Sequence, residues 1–178
     1  FYLISDFKKK SRQEGRPWVI ILTSDHGEMM GDHYYYRKCE PFEGSSRIPF
    51  LIQGSPALGF ESGVECDSPV CLEDIMPTLL ALTGLPEPDN VDGKSLIPVL
   101  KGNKDSIRST LHAEHSPCYS KNQAYQMLTD GEFKYIWRPV NGRELLFNLK
   151  EDPKELNDLS LIEEYRDTLK SWRHQLIF

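Results

Sequence analysis

WVIILTSDHGEMMGDHYYYRKCEPFEGSSRIPFLI, residues 18–52, places two apolar runs around a polar centre. The first run, VIIL at 19–22, shows no alternation, which suits a strand buried on both faces, as in a parallel sheet. The second, at 48–52, predicts another strand. Ligands of open α/β sheets bind beyond the carboxyl ends of the strands. Asp25 and His26 stand at such an end, and Gly27 lets the backbone turn there. The chemistry is expected at this point.

Outward from that centre, the preceding residues FYLISDFKKKSRQEG read as the tail of a helix. Phe1, Ile4 and Phe7 share one face, Lys8, Lys9 and Lys10 lie near the negative end, and Gly15 is close to the stop. A chain that opens inside an amphipathic helix is expected to be a fragment of something longer. No secretory signal stands at this start, and no apolar run approaches the roughly 20 residues that span a bilayer.

Downstream, residues 27–47 show no period of either kind, and loops of that length are usually functional or mobile. A helix is predicted over 72–83, with Gly84 as its stop and Pro86 beyond, Pro77 near its first turn, and Leu79, Leu80 and Leu82 facing the sheet. Residues 92–102 predict a short helical turn and a loop. From about Ser109 the pattern becomes β-rich, with hairpin signals at Asp130-Gly131 and Asn141-Gly142. Ser160 and Glu163 are spaced as a capping box, and Leu161, Tyr165, Leu169, Trp172 and Leu176 line one face of a last helix, expected to pack on the small sheet.

The 178 residues are enough for one domain with a real core, or a core with a satellite, and 39% hydrophobic and 11% aromatic residues mark a globular chain. With 21 Lys and Arg against 27 Asp and Glu, the net charge of −6 disfavours nucleic acid and anionic membranes as partners. Cys39, Cys66, Cys71 and Cys118 form no zinc-ligand spacing. Cys66 and Cys71 are placed to bridge in an oxidising compartment, but unpaired thiols are the expectation.

A carboxylate beside an imidazole at a strand end supplies two metal ligands, so Asp25 and His26 are the metal candidates. Two ligands do not complete a site, and the remainder must come from elsewhere. Lys38, 12 residues on, is a compact charge suited to a tetrahedral oxyanion. Asp32 and His33 share its loop, and Tyr34, Tyr35 and Tyr36 have rings able to stack on a sugar or aryl group. Glu43 and Arg47, four apart, are placed to pair and brace the site. His112 and His115 flank Glu114 near the domain junction. His33, Arg47 and His115 are the candidates for substrate contact.

At these residues the chain resembles the sulfatases of the alkaline phosphatase superfamily, in their C-terminal portion. TSDHGEMMGDH, then Lys38, then FEGSSRIPFLI with Glu43, Gly44, Ser45, Arg47 and Pro49 carry the resemblance. DIMPTLLALTG at 74–84 and LLFNLKEDPKELNDL at 145–159 extend it in the right order. Asp-His-Gly is shared across the superfamily, phosphodiesterases included, whereas Lys followed by E-G-S-x-R-x-P is more specific to sulfatases.

The resemblance implies an α/β fold: the C-terminal part of a mixed sheet flanked by helices over 1–108, then a small antiparallel subdomain with a closing helix over 109–178. It implies that Asp25 and His26 ligate one divalent cation, usually calcium. Many members have Asn where His26 stands, so Mn2+ and Zn2+ stay open beside it. Lys38 matches the lysine that contacts sulfate, while Glu43 and Arg47 match positions better read as architecture. The family's nucleophile is a formylglycine made from Cys or Ser in C/S-x-P-x-R, and no residue of this chain stands in that context. The paired N-terminal metal aspartates are absent too.

The expectation is therefore a sulfuric ester hydrolase whose nucleophile lies in an N-terminal half outside these residues, the 178 residues alone being inactive. In the intact enzyme the resemblance implies attack of the hydrated formylglycine on sulfur, departure of the alcohol, and release of the covalent sulfate as the aldehyde reforms. The substrate class is a carbohydrate or small-molecule sulfate ester. A phosphodiesterase or phosphonate monoester hydrolase of the same superfamily is the first alternative. A non-catalytic remnant that binds anionic sugars or a partner chain is the second. The compartment stays open, with a periplasmic or secreted location compatible.

Overall fold

A computed structural model describes residues 2–177. Phe1, placed above on the face of the first helix, lies outside them. In chain order the elements are α1 (Tyr2–Gln13), β1 (Val19–Thr23), β2 (Met29–Met30), β3 (Tyr36–Arg37), α2 (Glu43–Ser46), β4 (Phe50–Gly54), α3 (Ile75–Thr83), α4 (Ile97–Leu100), β5 (Leu111–His115), β6 (Tyr125–Thr129), β7 (Phe133–Arg138), β8 (Arg143–Asn148) and α5 (Arg166–Ile177). They sort into two compact units. One holds residues 1–24, 49–66 and 73–107, and the other holds 25–48, 67–72 and 108–178. The segment with the candidate site residues thus groups with the C-terminal β-rich part, across the boundary drawn at 108/109.

In the first unit β1 pairs antiparallel with β4, Val19 opposite Gly54 and Thr23 opposite Phe50. The parallel arrangement expected for β1 is corrected here, as is its burial on both faces, for Leu22 is 61% exposed and its register partner Leu51 57%. An apolar run records how hydrophobic a strand is, whereas its direction depends on which neighbour it hydrogen-bonds. The Phe7 ring meets Trp18 edge-on at 6.3 Å and Lys8 Nζ donates to Gln53 Oε1 at 2.5 Å. Helix α3 ends at Gly84 in the left-handed conformation. Its buried residues are Pro77 and Thr78, not the leucines, and Leu79 is exposed. Thr78 explains the difference, because its hydroxyl donates to the Asp74 carbonyl and accepts the Leu96 N–H at 2.9 Å. Asp74, fully buried, accepts the Lys94 N–H at 2.7 Å, so a polar motif and not an apolar stripe joins α3 to the segment before α4.

In the second unit β5, β6, β7 and β8 form an antiparallel meander. Asp130 and Gly131 turn β6 into β7, and Asn141 and Gly142 turn β7 into β8, where the hairpin signals predicted them. Side chains alternate between the two faces of a strand. One face of the sheet presents Tyr125, Met127, Ile136, Leu145 and Phe147, which close over Met29 and Phe42. The other presents Leu128, Tyr135 and Leu146, which pack on Leu169 and Trp172 of α5. Each such side chain contributes roughly 1.5–3 kcal/mol on burial. The sheet is thus covered on one face by α5 and on the other by the 25–48 segment.

The capping box does not form. Asp158 accepts the Ser160 N–H at 3.0 Å, two short 3-10 turns follow, and α5 opens only at Arg166. A carboxylate two residues upstream competes locally for that N–H and wins. Leu161 is consequently 90% exposed, outside the face formed by Leu169 and Trp172. All four cysteines are free thiols.

Candidate functional site

Immediately after β1 the chain reaches Asp25, His26 and Gly27. The Gly27 N–H donates to the Ser45 carbonyl at 2.8 Å. A Cβ at Gly27 would lie 2.2 Å from the Gly44 carbonyl oxygen, so the two glycine-bearing motifs touch backbone to backbone. This contact fixes the peptide that follows His26.

The His26 ring is held at both nitrogens. Nδ1 lies 2.7 Å from the Gly27 carbonyl, which can only accept, so Nδ1 carries the proton. Nε2 lies 3.0 Å from Lys38 Nζ, which can only donate, so Nε2 presents its lone pair. A ring N–H tied to a backbone carbonyl, with the opposite nitrogen aimed outward, is the usual arrangement of a metal-ligating histidine. Asp25 Oδ2 stands 3.5 Å from that same Nε2, and Asp25 Oδ1 accepts the His26 N–H at 3.1 Å. Two ligands at right angles, each about 2.3–2.6 Å from a cation, are separated by about 3.3–3.7 Å. The pair fits a shared cation. Hydrogen bonding from its own backbone holds the exposed Asp25 carboxyl below its ordinary value, keeping it in the ionised form that a metal requires. Among the described residues no group of three or more His, Cys, Asp or Glu side chains could hold a metal ion, so Asp25 and His26 are a partial set.

Lys38 is presented from a tight loop. Arg37 and Cys39 on either side have φ of 73° and 74°, and His33 and Tyr34 are also left-handed. Side-chain-bearing residues adopt that conformation at a cost, and such strain clusters at functional sites.

What holds this loop is a pair of buried ionic clusters on β7. Lys134 Nζ donates to Glu43 Oε1 at 2.7 Å and to the Pro41 carbonyl at 2.9 Å, and lies 2.8 Å from Glu155 Oε1. Glu155 Oε2 in turn accepts the Glu43 N–H at 2.7 Å. Burial pushes the Glu155 carboxyl up, against the opposing pull of Lys134. Four residues along the same face of β7, Arg138 Nη2 donates to Glu40 Oε2 at 2.7 Å, and Gln123 Nε2 donates to Glu40 Oε1 at 3.2 Å. Residues 40–43 are therefore clamped onto the meander by charge pairs removed from water.

The structure brings Asp25, His26 and Lys38 together, and it engages the three substrate-contact candidates in other ways. The His33 ring stacks on Phe42 at 4.0 Å, and its Nε2 meets the Lys154 carbonyl at 3.1 Å. Arg47, exposed, pairs with Glu43 at 3.4 Å as a brace. His115 stacks on Tyr125 at 5.9 Å, with its Nδ1 buried and without a hydrogen-bond partner. Sequence reasoning missed Glu40, Lys134, Arg138 and Glu155. A signal existed for the basic pair: in FKYIWR, Lys134 and Arg138 share the inward face of Ile136.

These features have counterparts in known proteins. Residues 31–177 match the family described as N-sulphoglucosamine sulphohydrolase, C-terminal. An arylsulfatase of Clostridium perfringens is 38% identical over 160 residues, covering 89% of this chain and 33% of that protein. A solved structure described as a complex with its substrate D-glucosamine-2-N,6-O-disulfate superposes with a TM-score of 0.80 at 23% identity, over 99% of this chain and 36% of that one. A phosphonate monoester hydrolase of Agrobacterium radiobacter superposes with a TM-score of 0.77 at 26% identity, over 97% of this chain and 37% of that one. The chain spans about a third of the length of these relatives.

Proposed function

Because this chain belongs to the C-terminal family of the N-sulphoglucosamine sulphohydrolases, a family of sulfatases, we propose that the full-length protein hydrolyses sulfate esters and that these residues furnish part of its metal and sulfate site. The observation that carries the reading is the convergence of Lys38 Nζ and Asp25 Oδ2 on one nitrogen, His26 Nε2, at 3.0 and 3.5 Å.

Asp25 and His26 would hold a divalent cation, and calcium, manganese and zinc all remain compatible with one carboxylate and one imidazole. When bound, the cation would draw charge from the sulfuryl oxygens as a Lewis acid. Nε2 has a single lone pair, now directed at Lys38. Once His26 spends that lone pair on a cation, the Lys38 ammonium has an N–H to give to a sulfate oxygen. Charge that builds on the sulfuryl oxygens is met there by a donor already in place, the effect that dominates many group transfers. Nucleophile and remaining ligands would come from outside these 178 residues, the nucleophile being a formylglycine. The substrate class is a sulfated sugar or aryl sulfate.

The test is turnover of 4-nitrophenyl sulfate by the full-length protein, before and after removal of divalent cations. Metal-dependent release of 4-nitrophenol, abolished by Lys38→Met, is the expected result. Metal-independent turnover, or unchanged turnover in Lys38→Met, would remove these residues from the site. The likeness to a phosphonate monoester hydrolase supports a second reading, the hydrolysis of a phosphonate or phosphate ester, since both substrates present a tetrahedral anion to the same lysine. Turnover of a phenylphosphonate ester but not of the sulfate would select it.

A further inference from the structure

The loop that carries Lys38 meets residues 118–123 at three successive points within one compact unit. The Arg37 guanidinium lies over the Tyr119 ring, 5.7 Å from its centroid. Gln123 Nε2 donates to Glu40 Oε1 at 3.2 Å. Between these contacts the Cys39 and Cys118 thiols share a hydrogen bond. Both sides are anchored. Glu40, next to Cys39, is pinned by Arg138 at 2.7 Å, and the N–H groups of Tyr119 and Ser120 converge on Gln123 Oε1 at 2.8 and 3.0 Å. The thiols are thus held side by side by flanking contacts that do not involve sulfur. Cys118 is exposed and Cys39 half-buried.

We propose that Cys39 and Cys118 form a thiol–disulfide modification site that reacts with small disulfides of the glutathione class, and that the resulting bond locks the loop presenting Lys38.

The exposed Cys118 reacts first. Its thiolate attacks one sulfur of oxidised glutathione and expels one glutathione thiolate, leaving a mixed disulfide. The Cys39 thiolate then attacks the Cys118 sulfur, forms the Cys39–Cys118 bond and expels the second glutathione thiolate. The two protons lost by the protein thiols end on the two released glutathiones. The protein is oxidised by two electrons and one glutathione disulfide is reduced. Burial, and then the hydrogen bond with Cys118, push the Cys39 thiol up, which suits it to the second, intramolecular step. Because Cys39 has φ of 74° and adjoins Lys38, a covalent tether at its side chain restrains the strained backbone that aims the lysine.

The test is a linkage map. The full-length protein is incubated with oxidised glutathione, its remaining thiols are alkylated, and the digest is read by mass spectrometry, with circular dichroism to verify the fold. The expected product joins the peptides of Cys39 and Cys118, two hydrogens lighter than their sum, while Cys66 and Cys71 stay out of that linkage. Cys39→Ser should stop at Cys118 mixed with glutathione. Recovery of Cys39 and Cys118 on separate peptides from folded protein would overturn the proposal. So would the same pairing pattern in folded and urea-unfolded protein. Wild-type protein alone decides the matter if the variant does not fold. The readout is a linkage and not turnover, so it stands or fails apart from the sulfate-ester reading.

Discussion

Lys134 on β7 and Glu155 in the turn after β8 form an ion pair of 2.8 Å in which the two side chains are only 1% and 2% exposed. Glu155 belongs to the D-P-x-E run at 152–155, and it reaches the lysine from a left-handed backbone, φ 56°. The same lysine holds Glu43 of the E-G-S-x-R-x-P run at 2.7 Å. Two motifs more than a hundred residues apart thus meet on one buried ammonium.

Removing that ammonium leaves two carboxylates facing each other away from water. Lys134→Met should cost about 3–5 kcal/mol of stability, the range for breaking a buried pair from one side. Denaturant unfolding of the full-length protein measures it. A loss below 1 kcal/mol would mean that water enters the cluster.

Lys38 is half-buried and its side chain meets His26, so its replacement should touch chemistry more than folding. We expect Lys38→Met to lower kcat by about 10²–10³-fold, as for loss of one transition-state donor, with an unfolding midpoint close to that of the wild type. Steady-state kinetics and a denaturant curve on one preparation separate the two effects.

His26→Ala removes the lone pair that Asp25 cannot replace alone. Divalent cation should then be needed at about 10–100-fold higher concentration or more for the same turnover. Titration of metal-stripped full-length protein measures the change. Equal requirements in variant and wild type would show that His26 is not a ligand.

Glu144 accepts from Arg173 Nε at 2.7 Å, from Arg173 Nη2 at 2.6 Å and from the Tyr135 hydroxyl at 2.5 Å. The Arg173 hydrogen bonds, first, hold its carboxyl below the ordinary 4.5. A carboxylate with a depressed folded-state value binds fewer protons folded than unfolded, so its contribution is fully present above about 4.5 and fades as pH falls through the lower folded value. Arg173 is partly exposed, which reduces the worth of the pair to about 1–2 kcal/mol. Glu144→Gln should therefore be less stable than wild type at pH 7, with the gap closing toward pH 3. A gap independent of pH would remove the charge from the explanation.

Two glycines separate crowding from backbone strain. Gly142→Ala meets no atom within 4 Å and should cost only the left-handed backbone, about 1–2 kcal/mol. Gly27→Ala drives a methyl to 2.2 Å from the Gly44 carbonyl oxygen and should cost more, with loss of activity as the His26 peptide shifts. Thermal unfolding and turnover of both variants test the order.

The meander and its hairpins were legible because their signals are local. Asp130-Gly131 and Asn141-Gly142 specify turns through residues adjacent in the chain, and alternation marks which side chains share a face. The end of α3 at Gly84 follows from the same short-range geometry. Asp25, His26 and Lys38 were legible as candidates because residue type and spacing restrict their chemistry, and the structure adds that they converge. The direction of β1 was not legible, since an apolar run fits either neighbour. The cap of α5 was misread where two local acceptors competed for one N–H.

Sequence by itself determined the family, the order of the elements and the residues able to bind a cation and an anion. Tertiary structure alone decided which charges pair: Glu40 with Arg138 across 98 positions, and Lys134 with Glu43 across 91. The reason is physical. A turn or a strand face is fixed by interactions a few residues long, whereas a buried charge takes whichever opposite charge the folded chain brings beside it. With 27 acidic residues to choose from, only the folded sheet selects the partner.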